Sequence, residues 1–105
     1  MFENTDAAAN LAVKDLERAR QFYEGTLGLK KVDAEGEDLV VYRSGKSLIN
    51  VYRSDFAGTN QATALTWAVG KDVESVVRKL KDKGVTFEHY DMPGMTRKGD
   101  VYVND

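Results

Sequence analysis

Between Lys14 and Gly28 the apolar residues Leu16, Ala19, Phe22 and Tyr23 recur at the spacing of one helix face, which predicts an amphipathic helix. Asp15 stands where a carboxylate accepts from the free amides of a helix start, and Glu17 adds a favourable charge in the first turn. The segment from Lys71 to Gly84 repeats the design, with Asp72 as the cap and Val73, Val76, Val77 and Leu80 as the apolar stripe. Its Lys79, Lys81 and Lys83 read as a solvated helix end where the dipole favours cations, and Gly84 suits a left-handed stop. Apolar runs precede both helices, Ala7 to Val13 and Ala62 to Val69, and each reads as a strand. AVKDLE and AVGKDVE are nearly the same string, so the chain reads as two copies of one unit, with Asp15 answering to Asp72 and Gly28 to Gly84.

After Gly28 three further strands are expected, over Leu29 to Asp33, Asp38 to Arg43 and Ser47 to Arg53. Taking Ser44-Gly45-Lys46 as a three-residue turn puts Leu39, Val41, Ile49 and Val51 on one apolar face, toward the helices. The other face then carries Val40, Tyr42, Leu48, Asn50 and Tyr52. Two readings fit its mixture of aromatic and polar groups: a concave binding surface, or a face covered by another sheet edge or by solvent. By the same alternation Ala8, Asn10 and Ala12 face inward on the first strand while Leu11 and Val13 face the helix. Trp67, with Leu65 and Val69, is expected in the core, and Thr66 points the opposite way with Ala64 and Ala68. Met92-Pro93-Gly94-Met95 reads as a turn between the last two strands.

Composition narrows the chemistry. The chain has 105 residues, 42% hydrophobic and 30% charged, which suits one domain with a modest core. Seventeen acidic and 15 basic residues give a formal charge of -2, so no basic footprint for nucleic acid or an anionic membrane exists. The absence of cysteine excludes disulfides, thiolate metal sites and cysteine nucleophiles, and the single histidine, His89, excludes sites needing two imidazoles from one chain. No apolar run approaches the roughly 18 residues of a membrane span, and the first residues lack a secretion pattern, so a cytoplasmic location is expected. No phosphate loop, nucleophile constellation or paired carboxylate stands out.

NLAVKDLERARQFYEGTLGLKKV, followed one module later by TWAVGKDVESVVRKLKDKGVTF, resembles the glyoxalase, bleomycin-resistance and extradiol-dioxygenase group, the vicinal oxygen chelate superfamily. Its most specific part is the string V-x-D-L-x-x-A-x-x-F-Y-x-x-x-L-G at Val13 to Gly28. The resemblance implies an α+β fold of paired βαβββ modules whose curled mixed sheet encloses a cavity. One domain over 1–105 is expected, with a first module over about 1–57 and a second over about 58–105. It also implies a homodimer, since members of the group commonly dimerise, some of them by exchanging modules or strands.

Enzymes of this group usually hold a divalent metal on inward-pointing strand positions, with His, Glu or Gln as ligands. Carried onto this chain, the resemblance places three of those positions at Ala8, Asn50 and Ala64. Alanine has no donor atom, and one neutral amide oxygen is too little to hold a transition metal against water. A register error of one residue offers only Ala7, Ala9, Thr63 or Leu65. The fourth ligand of the group follows an Asp-Pro-Asp-Gly-like turn that this sequence does not contain. Few residues follow Gly84, so the second module reads as lacking its last strand. The expectation is that the native chain continues past Asp105 or that a second chain supplies the cover.

With two of those metal positions empty, the resemblance implies a metal-free small-molecule binding protein of the glyoxalase and bleomycin-resistance type, without other cofactor, suited to sequestration of a ligand or drug, and the charge balance implies no nucleic-acid or membrane partner. Its expected ligand contacts are Asn10, Tyr42, Asn50, Tyr52 and Thr66, joined by His89, which reads either as a contact or general base near the cavity mouth or as a surface residue at a strand end. The alternatives are a lyase, isomerase or dioxygenase with an atypical or metal-dependent site, and a dimerising interaction domain.

Overall fold

A computed structural model describes residues 1–104. The chain forms two compact units, residues 1–66 and 67–105. In the first, strand β1 (Ala8–Val13) leads to helix α1 (Leu16–Arg20), which runs on as a π-helix over Gln21–Thr26, and strands β2 (Lys30–Glu35), β3 (Leu39–Ser44) and β4 (Ser47–Arg53) follow. They form one mixed sheet in the order β1-β4-β3-β2, with β1 parallel to β4 and the other pairs antiparallel. Crossing from β1 over the helix to β2 lets β4 return beside β1, so residues of the first and last strands of the unit stand side by side.

Local chemistry sets the helix. The Asp15 carboxylate accepts from the Arg18 amide at 3.1 Å, the expected cap. The winding then loosens: the Leu27 amide donates to the Phe22 carbonyl at 2.9 Å, five residues back, and the Leu29 amide reaches the Tyr23 carbonyl. Gly28, at φ 70, releases the chain into β2. The wider turn corrects the apolar stripe read from the sequence, because Phe22 remains 39% exposed while Tyr23 packs on the core.

That core lies between α1 and one face of the sheet. Leu16 and Ala19 meet Val40, Tyr42, Ile49 and Val51, with Leu11, Val13, Leu29 and Leu65 packed around them. Each fully buried aliphatic side chain contributes roughly 1.5–3 kcal/mol. The expected hairpin facing is corrected for β3. Ser44 pairs with Ser47, so the loop has two residues, Gly45 and Lys46, and Tyr42 opposes Ile49 rather than Leu48. Gly45 takes φ 58, which a short hairpin loop demands and a glycine supplies without strain. One position of slip exchanges the faces of β3: Val40 and Tyr42 go into the core, and Leu39 and Val41 to the open side.

The second unit contains a 3₁₀ turn at Gly70–Asp72, helix α2 (Val73–Asp82) and the antiparallel pair β5 (Met95–Lys98) and β6 (Val101–Asn104). The helix ends as expected, with Gly84 at φ 90 and the Val85 amide donating to the Leu80 carbonyl. Its start does not: Asp72 makes no side-chain cap bond, and the 3₁₀ turn leads into the helix with the Asp72 amide donating to the Val69 carbonyl. The strands expected at Ala62 to Val69 and around His89 are absent, as neither stretch has a ladder partner, and Trp67 is 44% exposed rather than in the core. The Pro93-Gly94 turn precedes β5, closed by the Met95 amide on the Met92 carbonyl; the last two strands are joined instead at Gly99-Asp100.

Candidate functional site

The open side of the sheet carries Ala8, Asn10 and Ala12 on β1 against Leu48, Asn50 and Tyr52 on β4. Directly opposed residues of neighbouring strands share a face, so Asn10 and Asn50 meet, and the Asn50 Nδ2 donates to the Asn10 Oδ1 at 3.1 Å. The expected inward set Ala8, Asn10 and Ala12 is thus what the register places together with Asn50 and Tyr52.

Beside this pair a cleft of about 380 Å³ follows β1 and the segment after β4. Asn10, Leu11, Ala12 and Tyr52 line it from β1 and β4, Tyr23 from the helix, and Phe56 and Asn60 from the segment beyond, while Ala62 and Ala64 leave it room; Asn50 adjoins it through its bond to Asn10. None of the side chains lining it carries a formal charge. Phe56 is 80% exposed at the mouth of the cleft. Sequence reasoning missed Phe56 and Asn60 because the stretch after Arg53 has no apolar period; the small residues at Ala62 and Ala64 were the available signal.

The other expected contacts fall elsewhere. Tyr42, expected on the open face, is fully buried on the helix side, where its hydroxyl donates to the Glu24 carboxylate at 2.8 Å and its ring lies 5.9 Å from that of Tyr23. Glu24 also accepts from Arg20 Nε at 3.1 Å. These two bonds hold the Glu24 carboxyl below its usual range, Tyr42 contributing first, while burial and the carboxylate push the Tyr42 hydroxyl up. Thr66 is exposed, outside any strand, and is not among the residues lining the cleft.

His89 belongs to the second unit. Its Nε2 lies 2.5 Å from Asp100, whose other oxygen meets Lys81 Nζ at 2.8 Å. Asp100 is mostly buried, and Lys81 first, then His89, holds its carboxyl below the usual range. The three side chains tie the end of α2 and the segment around His89 to the β5–β6 turn.

A larger hollow of about 690 Å³ lies between the start of α1 and the β2–β3 turn. Its lining mixes Lys14, Arg20 and Arg53 with Asp15, Glu17, Glu37 and Asp38, and both arginines already have carboxylate partners. Hydrated, mutually screened charges of both signs single out neither an anionic nor a cationic ligand. Metal chemistry does not fit the residues present: Ala8 and Ala64 have no donor atom, Asn50 is bonded to Asn10, and no group of three His, Cys, Asp or Glu side chains able to hold an ion occurs among the described residues.

The first unit is a four-stranded mixed sheet backed by a helix, with an uncharged cleft at its β1 edge. The family model described as "Glyoxalase/Bleomycin resistance protein/Dioxygenase superfamily" matches residues 6–97, and the chain belongs to that superfamily. No curated protein matches the chain. Among solved structures it is similar to a genomically encoded fosfomycin resistance protein, FosX, from Listeria monocytogenes, at 16% identity and TM-score 0.66, covering 90% of this chain and 78% of that one. Lactoylglutathione lyase from Agrobacterium tumefaciens is similar at 19% identity and TM-score 0.60, with 86% and 78% covered. An antibiotic binding protein from Streptomyces is similar at 17% identity and TM-score 0.53, with 92% and 90% covered. At these identities the likeness is one of fold.

Proposed function

We propose that the chain binds a small molecule without a metal and sequesters it. The carrying observation is the uncharged cleft beside the Asn10–Asn50 pair, flanked by Tyr52 and Phe56; two of the positions that the resemblance assigns to the family's metal ligands hold Ala8 and Ala64. Neutral amides and aromatic faces can orient and enclose a planar guest, but they supply neither a Lewis acid nor a base to transform it. That one structural relative is an antibiotic binding protein is compatible with such a role. Asn10, Asn50 and Tyr52 are the contacts in this reading, while Tyr42 is a core residue. The protein acts in the cytoplasm as a homodimer, a second copy covering the 41% exposed Leu48 and the free edge of β1.

Titrating protein pretreated with a chelator with a planar aromatic probe such as 2-naphthol, followed by amide NMR, tests the reading. Shifts confined to residues around Asn10, Tyr52 and Phe56, with one affinity before and after adding zinc, nickel or manganese, are expected. Binding that appears only with metal would overturn it. Light scattering at the mass of one chain would remove the dimer.

A further inference from the structure

Resting on that reading, we propose that the site selects a neutral planar ligand presenting a cis-amide edge: a lactam, an imide or a comparable nucleobase edge. A primary amide has two donor hydrogens and one oxygen with two lone pairs. The bond between Asn50 and Asn10 uses one hydrogen of the first and one lone pair of the second. What remains is the oxygen and second N–H of Asn50, and both N–H hydrogens and the second lone pair of Asn10, so a ligand edge with one donor and one acceptor can meet the Asn50 oxygen and the Asn10 amino group together. Reversing the roles of the two amides leaves the same pattern, one acceptor on the donating partner and donors on the accepting one, so the inference does not depend on which way either amide is turned.

A cis-amide edge matches this pair, because its N–H and C=O lie side by side and pointing the same way. A carboxylate offers only acceptors and leaves the Asn50 oxygen without a donor. An amine offers only donors. Charge excludes both further, since no formally charged side chain lines the adjoining cleft to repay the desolvation of an ion. Planarity follows from the neighbours. Tyr52 and Phe56 supply ring faces, and Ala12, Ala62 and Ala64 leave a slot beside them.

Three probes of nearly one shape test this in the full chain by NMR titration: isoquinolin-1(2H)-one, its N-methyl derivative and 1-naphthoate. The lactam is expected to bind roughly tenfold or more tighter than the N-methyl compound, which loses the donor and leaves an acceptor unpaired, and tighter still than the carboxylate. In Asn10→Leu and Asn50→Leu, with folding checked by circular dichroism, the preference should vanish while weak aromatic binding persists. The comparison among ligands needs no variant, so a misfolded substitution does not shield the proposal. Equal binding of lactam and N-methyl lactam, or tighter binding of the carboxylate, overturns the selectivity and leaves the metal-free cleft standing. If no aromatic probe perturbs the cleft residues, both fail together.

Discussion

Replacing Tyr42 with Phe tests where the structure departs most from the pattern of the sequence. The ring is fully buried and its hydroxyl donates to Glu24, so the substitution keeps the packing and deletes one hydrogen bond to a carboxylate. Such bonds contribute about 1.5–3 kcal/mol. Here Glu24 retains Arg20, and its side chain is 34% exposed and can recover water, so the cost falls at the lower end, about 1–2 kcal/mol. In a domain of this size that is a drop in Tm of roughly 5–10 °C. The penalty also depends on pH. The Glu24 carboxyl is held below its usual value of 4.5, mainly by Tyr42 and next by Arg20. The stabilisation is therefore complete above pH 4.5 and is lost as the pH falls through the lower value of the folded state. Urea denaturation of both proteins at pH 7 should show the full difference, and the two curves should converge in strong acid. Equal stability at pH 7 would refute the register, because a Tyr42 on the open face would lose nothing but a wet hydroxyl.

Further outcomes follow from the same geometry. Ile49→Ala, at a site 1% exposed, should cost about 2–5 kcal/mol in urea denaturation. Gly45→Ala, forced to keep φ 58, should cost about 1–2 kcal/mol and loosen the β3–β4 hairpin, read as faster amide exchange there. Asp15→Ala, which removes the cap on the Arg18 amide, should cost about 1 kcal/mol by thermal denaturation. Lys81→Ala should raise the titration midpoint of the Asp100 carboxyl, followed by carbon NMR, more than His89→Ala does, because Lys81 contributes first to holding it down.

Much of the first unit was legible. The Asp15 cap, the run Ser47–Arg53 as a strand and the inward set Ala8, Asn10 and Ala12 follow from residue chemistry acting over a few positions. The facing of β3 was not, because it depends on whether Ser44 belongs to the loop or to the ladder, and one residue decides which side Tyr42 takes. Gly45 carried the missing signal, since glycine at the first position of a two-residue loop is what such a hairpin favours. The stretch Ala62 to Val69 has the composition of a strand but no partner to complete its backbone bonds, and pattern alone cannot reveal that. Within the candidate site, Asn10 and Asn50 were individually legible; their direct contact required the parallel register of β1 on β4.

The central claim is that the cleft recognises its guest with amides and aromatic rings and not through a cation. Manganese added to ¹⁵N-labelled protein tests it at the atoms concerned, because a bound paramagnetic ion broadens every nearby signal. The side-chain amide resonances of Asn10 and Asn50 should stay sharp through a molar excess of the ion, yet move when a planar lactam is added. Selective, saturable broadening of those two amides at substoichiometric manganese would contradict the account.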